Sequence, residues 1–284
     1  MTLEPPPETI WRPVLKRALD EDLGDAGDIT TDAIVPDGAV ATGRVVAREA
    51  GVVAGLGIAT ATFGLLDDLV VVDARVSDGA RVAASTTLAV VSGPARAILT
   101  GERVALNLLG RMCGIATRTA EVVEAVAGTH AVIAATRKTT PGLRALEKYA
   151  VRCGGGTTHR FGLYDAVLIK DNHLVVAGSV AAAVKGARAA VGHLTTVEVE
   201  VTDLDQLDEA IAAGADVVLL DNMSLDAMRA AVERTAGRAV LEASGSITPS
   251  NVAEVAATGV DVISLGWLTH SAPALDVALD FEVK

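Results

Sequence analysis

Apolar runs recur at regular intervals through the second half of the chain. They occupy residues 131–135, 166–169, 197–201, 217–220, 239–241 and 260–265. Helix-like segments separate most of these runs, and several open with a helix-start signal. The signals are Thr140-Pro141, Asp203, Ser224 and Thr248-Pro249. Strands buried on both faces that alternate with helices indicate parallel βα units, arranged either as a β/α barrel or as an open doubly wound sheet.

The first third of the chain has a different pattern. Helical spacing of apolar residues predicts a helix over 11–23, and the Gly-Asp-rich run from Gly24 predicts a loop after it. The uncharged stretch 50–66 contains too many glycines for a membrane span, so we interpret it as a buried strand and helix. Short β-rich stretches predict a small sheet from residues 39–48, 69–76 and 86–91.

Residues 94–126 are rich in good helix formers with apolar residues at helical spacing. The stretch predicts one or two long helices. Gly110 and Gly114 are the candidate points of interruption.

Composition indicates a globular protein and narrows its partners. Half of the 284 residues are apolar and 21% are charged, which is too little polarity for a disordered chain. The net charge is −12 and aromatic residues make up only 2%, so we expect neither nucleic acid nor membranes as partners.

Residues 1–8 lack a signal-peptide pattern, so we expect a cytoplasmic location. Cys113 and Cys153 lie far apart, which argues against a disulfide framework and structural zinc.

Polar residues collect where the predicted strands end. The carboxyl ends of parallel strands surround the active site in α/β folds, so this placement points to an enzyme. The alternative is that every strand becomes polar where the chain leaves the core. The residues concerned are Arg137, Lys138, Lys170, Asp171, Glu200, Asp221, Asn222, Glu242, Ser244 and Gly266.

A set of cationic residues is conspicuous in this acidic chain. Cations that converge in a desolvated pocket are costly unless an anionic ligand neutralises them, so the set implies a multiply charged anion. Its members are Arg137, Lys138, His159, Arg160 and Lys170. Each alone could be a solvated surface charge, which is our preferred interpretation for Lys148 and Arg152. The glycines 154–156 before His159 favour close backbone approach to a ligand rather than a packing role.

Two carboxylates at the ends of neighbouring strands suggest a metal role. Glu200 and Asp221 offer the hard oxygen donors that Mg²⁺ takes when it is bound with substrate phosphates, so a diphosphate-bearing substrate would fit. The competing interpretation is a pair of solvated loop acids. Glu198 falls on the same side of an ideal strand as Glu200, so the sequence separates these two glutamates only weakly.

Small residues near the last strands suggest a phosphate site. Ser244-Gly245-Ser246 precedes the helix start at Thr248-Pro249, and Gly266 closes the next strand. Backbone amides at a helix N-terminus attract phosphate, and the last strands of β/α barrels commonly supply such a site. A plain helix cap is the competing interpretation.

Long composite motifs carry a resemblance to a known family. They are DLGDAGDITT at 22–31, GERVALNLL at 101–109, TRKTTPGLR at 136–144, GGGTTHRFGLYDAVLIKDNH at 154–173, LLDN at 219–222 and LTHS at 268–271. With these motifs the chain resembles the quinolinate phosphoribosyltransferases, also called nicotinate-nucleotide diphosphorylases (carboxylating), over essentially its whole length.

The resemblance implies a decarboxylating pentosyltransferase. Phosphoribosyl diphosphate, carried with Mg²⁺, would donate its phosphoribosyl group to the ring nitrogen of quinolinate. Diphosphate and CO₂ would leave, and nicotinate mononucleotide would form for NAD biosynthesis. Both substrates are polyanions, which agrees with the cationic set, and no covalent nucleophile would be needed.

The resemblance also implies roles for individual residues. Quinolinate would be held by Arg137, His159, Arg160, Lys170 and, from the partner subunit of a homodimer, Arg103. Lys138 would lie near the reacting groups, and Glu200 and Asp221 would position the ribose hydroxyls and Mg²⁺ as part of the catalytic set. Phosphate would be cradled by Ser244, Gly245, Gly266 and His270.

The implied fold is that of a type II phosphoribosyltransferase. An α/β sandwich domain over residues 1–112, joined by the C-terminal tail 271–284, would stand beside an incomplete β/α barrel over residues 113–270. Trp267 and Ser246 depart from the family pattern, which is expected to have a small residue at the first position and often Gly or Asn at the second. Both are neighbours of the implied phosphate contacts, so we expect activity to survive.

Two other functions remain open on the sequence alone. One is a related phosphoribosyltransferase with a different acceptor, such as nicotinate or that of the molybdenum-associated relatives. The full cationic set favours a dicarboxylate, because a monocarboxylate would leave cations unpaired. The other is a non-catalytic anion-binding protein, against which Glu200 and Asp221 argue, because simple anion capture does not require acids beside a phosphate site.

Overall fold

The computed structural model describes residues 3–281, and the chain divides into two compact units. The first unit contains the residues up to Ala120, Thr139–Gly155 and the residues from Trp267 onward. The second contains Glu121–Lys138 and Gly156–Gly266. Thr139–Gly155, which our predicted division assigns to the barrel domain, thus clusters with the first unit. The predicted domain boundaries themselves stay a prediction.

The helices and strands of the described residues are numbered in chain order. The helices are α1 (Glu8–Leu23), α2 (Ile29–Ile34), α3 (Leu56–Leu66), α4 (Ala95–Ala125), α5 (Arg144–Cys153), α6 (Asp171–Ala177), α7 (Val180–Ala190), α8 (Leu204–Ala213), α9 (Leu225–Thr235), α10 (Val252–Ala256) and α11 (Trp267–His270). The strands are β1 (Val40–Ala47), β2 (Gly51–Val52), β3 (Val71–Ala74), β4 (Arg81–Val82), β5 (Thr87–Pro94), β6 (Val132–Ala134), β7 (Val167–Ile169), β8 (Val197–Val201), β9 (Val217–Asp221), β10 (Val240–Ser244), β11 (Val262–Ser264) and β12 (Val277–Phe281).

The first unit is built on an antiparallel sheet with the strand order β12-β1-β5-β3. β12 arrives from the far end of the described chain and pairs with β1, from Gly43↔Phe281 to Ala47↔Val277. Val45 and Leu88 of the sheet pack with Phe63 of α3 and with α4 in one buried core. This sheet and its covering helices form the predicted α/β sandwich.

Helix α4 is continuous, so neither glycine interrupts it. An added Cβ at Gly110 would lie 2.8 Å from the carbonyl oxygen of Leu275, and one at Gly114 would overlap the carbonyl oxygen of Pro273. The two glycines therefore allow the chain that leads into β12 to cross the helix at close range. The amide of Leu275 also donates to the carbonyl of Gly110 at 2.9 Å.

The predicted loop after α1 is confirmed over residues 24–28. It leads into the short helix α2, which was not predicted and whose N-cap Asp28 accepts a hydrogen bond from the amide of Thr31 at 3.0 Å. The same carboxylate accepts from the hydroxyl of Thr100 at 3.0 Å. These bonds lower the pKa of Asp28, as expected for a carboxylate that caps a helix.

The second unit is built on a parallel sheet with the strand order β6-β11-β10-β9-β8-β7. Every strand lies within, or overlaps, one of the predicted apolar runs, and the sheet with helices α6 to α10 forms the incomplete β/α barrel. Asp203 and Ser224 cap α8 and α9 as predicted.

The other two predicted helix starts are wrong by several residues. The amide and hydroxyl of Thr140 donate to Glu147, at 3.0 and 2.7 Å, so Thr140 does not cap a helix and α5 begins later, at Arg144. The amide of Thr248 donates to Asn251 at 2.8 Å in a turn, and α10 begins at Val252.

None of the helices within residues 3–281 is long and apolar enough to cross a membrane.

Cys113 and Cys153 are free and buried, and burial raises the pKa of each thiol to about 12. A thiolate nucleophile at either position is therefore excluded near neutral pH.

Candidate active site

The polar strand ends of the parallel sheet lie on one face. Leu219 of β9 is in register with both Glu200 of β8 and Glu242 of β10. Asp221 and Ser244 are register partners two residues further along β9 and β10. Residues two apart in a strand share a face, so the side chains of these four polar residues lie on the same side of the sheet.

Three glutamates on this face are buried, namely Glu198, Glu200 and Glu242. Moving an ionised carboxylate from water into a protein interior costs roughly several kcal/mol of free energy, unless a cation or hydrogen bonds offset the loss of hydration. All three acids lie on strands β8 and β10. Since each buried acid needs a cation or a hydrogen-bond donor, the partners of these acids identify the residues that complete the site.

The partner of Glu200 is Lys170. Lys170 directly follows β7, and its Nζ lies 2.5 Å from Oε2 of Glu200 on the neighbouring strand. The Glu200 side chain is 10% exposed, whereas that of Lys170 is 48% exposed. The ammonium group therefore stands between a buried acid and solvent, where it can meet an incoming anion.

The partner of Glu198 and Glu242 is His159. Its Nε2 lies 2.9 Å from Oε2 of Glu198 and 3.6 Å from Oε1 of Glu242. Thr157 positions this histidine, because it forms an isolated parallel bridge to Ala134 beside β6. The segment after α5 is thereby held against the sheet, and His159 reaches the same face as the acids.

Two arginines add to the positive charge of the site. Burial and then the neighbouring charge of Arg137 lower the pKa of Arg160, so the two guanidinium groups lie close together. Nη1 of Arg160 donates to the carbonyl oxygen of Ala166 at 3.1 Å. Nε of Arg137 is buried without a hydrogen-bond partner among residues 3–281. Lys138 is exposed beside them, and its amide donates to the hydroxyl of Thr136 at 3.0 Å.

A tight loop follows Asp221 and Ser244 at the ends of β9 and β10. Asn222 donates to Oδ2 of Asp221 at 2.9 Å and accepts from the hydroxyl of Ser246 at 3.1 Å. A Cβ at Gly245, which has φ +89°, would overlap the side chain of Asn222. Ser246 itself has φ +52°, a left-handed conformation that Gly and Asn adopt more readily than serine. That conformation explains why Gly or Asn is expected at this position.

The helix after this loop is a weaker phosphate site than the sequence suggests. α10 has only 5 residues and starts at Val252, well beyond Gly245. Its dipole is correspondingly small and distant. Phosphate contacts at Ser244 and Gly245 would therefore come from loop amides and the serine hydroxyl.

The structure brings most of the predicted site residues into the second unit. These are Arg137, Lys138, His159, Arg160, Lys170, Glu200, Asp221, Ser244, Gly245 and Gly266. Arg103 and His270 belong to the first unit and are exposed there, and Nδ1 of His270 lies 2.6 Å from the hydroxyl oxygen of Ser271. Trp267 is half-buried at the start of α11.

Two interpretations on the α5 segment are wrong. Lys148 is not a solvated surface charge, because it is only 1% exposed, although Arg152 is exposed as expected. Gly154 serves packing, since a Cβ there would overlap the carbonyl oxygen of Ala116 and approach Thr119 on α4. Gly155, with φ +88°, provides the turn that follows α5.

Sequence reasoning noted Glu198 and Glu242 near the strand ends but gave neither of them a role in the site. Both are buried against His159, whereas the prediction placed its emphasis on Glu200 and Asp221. The signal that could have found them is their occurrence in strands otherwise made of apolar residues, because a carboxylate inside such a strand needs a partner.

The pKa of Glu242 provides a test of this buried arrangement. Burial, and then the charge of Glu198, raise the pKa of Glu242 from 4.5 to about 7. The folded protein thus retains a proton that the unfolded chain releases. The resulting stabilisation is complete below about pH 4.5 and is lost as the pH rises through about 7.

Glu242→Gln is therefore expected to flatten the decline in the free energy of unfolding between about pH 5 and about pH 8. Urea titrations of both proteins at several pH values would measure this. Parallel pH profiles for the two proteins would contradict the buried, proton-holding state of Glu242.

An α/β fold that gathers cations and paired carboxylates at the ends of parallel strands defines an enzyme for anionic substrates. The "Quinolinate phosphoribosyl transferase, N-terminal domain" family matches residues 28–113, and the "Quinolinate phosphoribosyl transferase, C-terminal domain" family matches residues 115–280. The chain belongs to the quinolinate phosphoribosyltransferase family.

Individual relatives agree with this assignment. The chain is 49% identical over 277 residues to the nicotinate-nucleotide pyrophosphorylase [carboxylating] of Mycobacterium leprae, covering 95% of this chain and 96% of the relative. It is 46% identical over 260 residues to a probable enzyme of the same name from Bacillus subtilis, covering 92% and 89%. The solved nicotinate-nucleotide pyrophosphorylase of Francisella tularensis superposes with a TM-score of 0.94 at 38% identity, covering 99% of both chains.

Proposed function

We propose that this protein transfers the phosphoribosyl group of phosphoribosyl diphosphate to quinolinate with decarboxylation. The products are nicotinate mononucleotide, diphosphate and CO₂, on the route to NAD. The observation that carries the proposal is the convergence of Arg137, His159, Arg160 and Lys170 at one end of the parallel sheet, beside Glu200. A ligand with two adjacent carboxylates neutralises several cations at once, and the family membership supplies the reaction.

The proposed chemistry requires no covalent nucleophile. The bond between the ribose anomeric carbon and the diphosphate oxygen breaks, and the ring nitrogen of quinolinate bonds to that carbon. The resulting pyridinium accepts the electron pair released when the bond to the adjacent carboxylate breaks, CO₂ leaves, and a proton takes its place. Arg137, Arg160 and Lys170 orient the acceptor and offset its charge, which is the main contribution a protein makes to such a transfer.

Glu200 and Asp221 fit the requirements of Mg²⁺. Their carboxylates are hard oxygen donors on one face of neighbouring strands, and the described contacts engage Oε2 of Glu200 and Oδ2 of Asp221. Mg²⁺ bound with phosphoribosyl diphosphate supplies positive charge that stabilises the departing diphosphate. Asn222 orients the Asp221 carboxylate, and the loop at Ser244 and Gly245 offers donors to phosphate oxygens.

Replacing Asp221 with asparagine is expected to raise the Mg²⁺ concentration for half-maximal activity by about tenfold, because a charged ligand becomes neutral. The KM for quinolinate should change little. Initial rates over a Mg²⁺ titration measure both quantities. Asp226→Asn, an exposed acid on α9 paired with Arg229, is the matched control. An unchanged Mg²⁺ dependence would remove Asp221 from the metal site.

The proposal includes a homodimer with shared sites. Arg103 is exposed on α4, in the first unit. The family resemblance gives it to the quinolinate site of the partner subunit, so one chain alone would lack a complete pocket. A cytoplasmic location, as expected from the sequence, is part of the same proposal.

The deciding experiment combines purified protein with quinolinate, phosphoribosyl diphosphate and Mg²⁺ and follows nicotinate mononucleotide. Formation of the mononucleotide with release of CO₂ is the expected result. Turnover of nicotinate in place of quinolinate would indicate the different-acceptor function. Tight substrate binding without product would indicate the non-catalytic anion-binding function.

A further inference from the structure

His159 shares its environment with two buried acids on neighbouring elements of the site. The side chains of Glu198 and Glu242 are each about 5% exposed, and that of His159 is 12% exposed. Oε1 of each glutamate has no hydrogen-bond partner among the described residues. Such an arrangement is unfavourable for folding alone, because burying ionisable groups usually costs more than their mutual attraction returns. Its presence beside the cationic set calls for a role in binding.

The hydrogen bonds fix the tautomer of His159. The backbone amide of Arg160 donates to Nδ1 of His159 at 2.7 Å, so Nδ1 carries a lone pair and the ring proton resides on Nε2. Nε2 therefore donates to Glu198. A metal ion held by the same three side chains would need the lone pair of Nε2, which the tautomer does not offer. His159 thus donates to Glu198, with the Glu242 carboxylate 3.6 Å away, and its Nε2 offers no lone pair to a metal ion.

The two acids also act on the cations that surround them. Glu198 interacts electrostatically with Arg160, and Glu242 interacts with Lys170 and accepts a hydrogen bond from Ser264. Lys170 is in turn paired with Glu200. Glu198 therefore provides negative charge beneath the acceptor site, and that charge helps to keep the cationic side chains close together when no substrate is bound.

On the basis of the proposed function, we propose that Glu198 and Glu242 are positioning residues of the quinolinate site. They hold His159 in one tautomer and one orientation, and through its bond to the Arg160 amide they fix the segment that carries the Arg160 guanidinium. The substrate then meets a pocket that is already ordered. Pre-ordering of this kind improves affinity, because less conformational freedom is lost on binding.

Two variants of Glu198 separate its contributions. Glu198→Gln retains an oxygen that can accept from Nε2 of His159, whereas Glu198→Met has similar length and no acceptor. We expect Glu198→Met to raise the KM for quinolinate by about tenfold, which is the typical effect of losing a hydrogen bond to a charged group. The KM of Glu198→Gln for quinolinate should lie between that of Glu198→Met and that of the unchanged protein. The KM for phosphoribosyl diphosphate and kcat should change less than about twofold, because neither depends on this hydrogen bond.

The orientation of His159 can be measured without turnover. Nitrogen NMR of the imidazole distinguishes the protonated from the unprotonated ring nitrogen, and calorimetry measures quinolinate binding directly. We expect the Nε2-protonated tautomer to dominate in the unchanged protein and in Glu198→Gln, and a mixture in Glu198→Met. Glu242→Gln provides a second variant should Glu198→Met fail to fold, with a weaker effect in the same direction. Glu254→Gln, an exposed acid on α10, is the control.

Thermal unfolding distinguishes a positioning role from a merely structural one. Glu198→Met removes the like charge that faces Glu242, and the relief of this repulsion offsets the loss of the hydrogen bond to His159. The KM for quinolinate should therefore rise while Tm changes little. A fall in Tm that parallels the rise in KM would overturn the proposal, as would an unchanged tautomer and unchanged quinolinate affinity in Glu198→Met. Zn²⁺ binding that is lost in both glutamate variants would also overturn it.

The outcomes also separate this inference from the proposed function. Absence of product from quinolinate in the unchanged protein, together with the expected tautomer and an acid-dependent affinity for quinolinate, would contradict the proposed reaction alone. Product formation with no effect of the acids on His159 or on affinity would contradict the positioning role alone.

Discussion

Lys170→Ala is expected to lower kcat/KM for quinolinate by at least about 100-fold, because a hydrogen bond to a charged group is typically worth about 1.5–3 kcal/mol and the substrate complex depends on this ammonium group in two ways. Two losses combine in this variant. The acceptor loses a cation that is 48% exposed towards solvent, and Glu200 loses its partner while its own side chain stays 10% exposed. An unpaired carboxylate left at this position also repels an anionic substrate.

Initial rates at varied quinolinate concentration would measure the effect, and calorimetry would establish whether binding is lost. Lys185→Ala is the matched control, because it removes the same side chain from the exposed surface of α7. A change in kcat/KM for Lys170→Ala no larger than that of the control would exclude Lys170 from the acceptor site. Arg137→Ala should resemble Lys170→Ala in losing quinolinate binding, since Nε of Arg137 is buried at the same site.

Mixing inactive Arg103→Ala with inactive Lys170→Ala is expected to restore about a quarter of the unmodified activity after complete subunit exchange. The shared-site dimer predicts this value. Half of the randomly assembled dimers would be hybrids, and each hybrid would contain one intact site of two. In that site Lys170 comes from the Arg103→Ala chain and Arg103 from the Lys170→Ala chain.

Mass spectrometry of differently labelled chains would verify the exchange before activity is measured. Mixtures of two preparations of Lys170→Ala serve as the control, because their hybrids contain no intact site. If hybrid dimers form and activity stays at the level of that control, Arg103 does not complete the partner's pocket. The homodimer would then lose its proposed catalytic role.

Much of the fold was predictable because burial leaves a clear trace in the sequence. Parallel strands covered on both faces appear as continuous apolar runs, and each of the six predicted runs overlaps a strand. The ends of helices were harder to predict from the sequence. Thr140 resembles a cap, but its hydroxyl and amide bond to Glu147, a residue whose burial depends on tertiary packing.

Glycine was the least reliable guide to local structure. Gly110 and Gly114 lie inside a continuous helix because a distant segment of chain passes over them. Gly154 likewise packs against α4. A glycine within a helix or strand often indicates that another group approaches the backbone closely. The sequence alone does not show whether that group is a ligand or another segment of the protein's own backbone.

The residue types of the candidate site were predictable, and their pairing was not. Strand ends in a parallel fold identify Lys170, Glu200 and Asp221 as neighbours of one edge. Which acid meets which cation depends on the register between strands, and a period of two places Glu198 and Glu200 on the same face without distinguishing them. The register places Lys170 beside Glu200, whereas the bridge between Thr157 and Ala134 brings His159 to Glu198 and Glu242.

The pairing of β12 with β1 has a consequence for biosynthesis. β1 emerges early from the ribosome, yet its partner is translated only after every strand of the parallel sheet. Until then one edge of β1 has exposed amide and carbonyl groups, the kind of edge that recruits strands from other chains. Nascent chains truncated before residue 277 should therefore be prone to aggregate and to depend on chaperones.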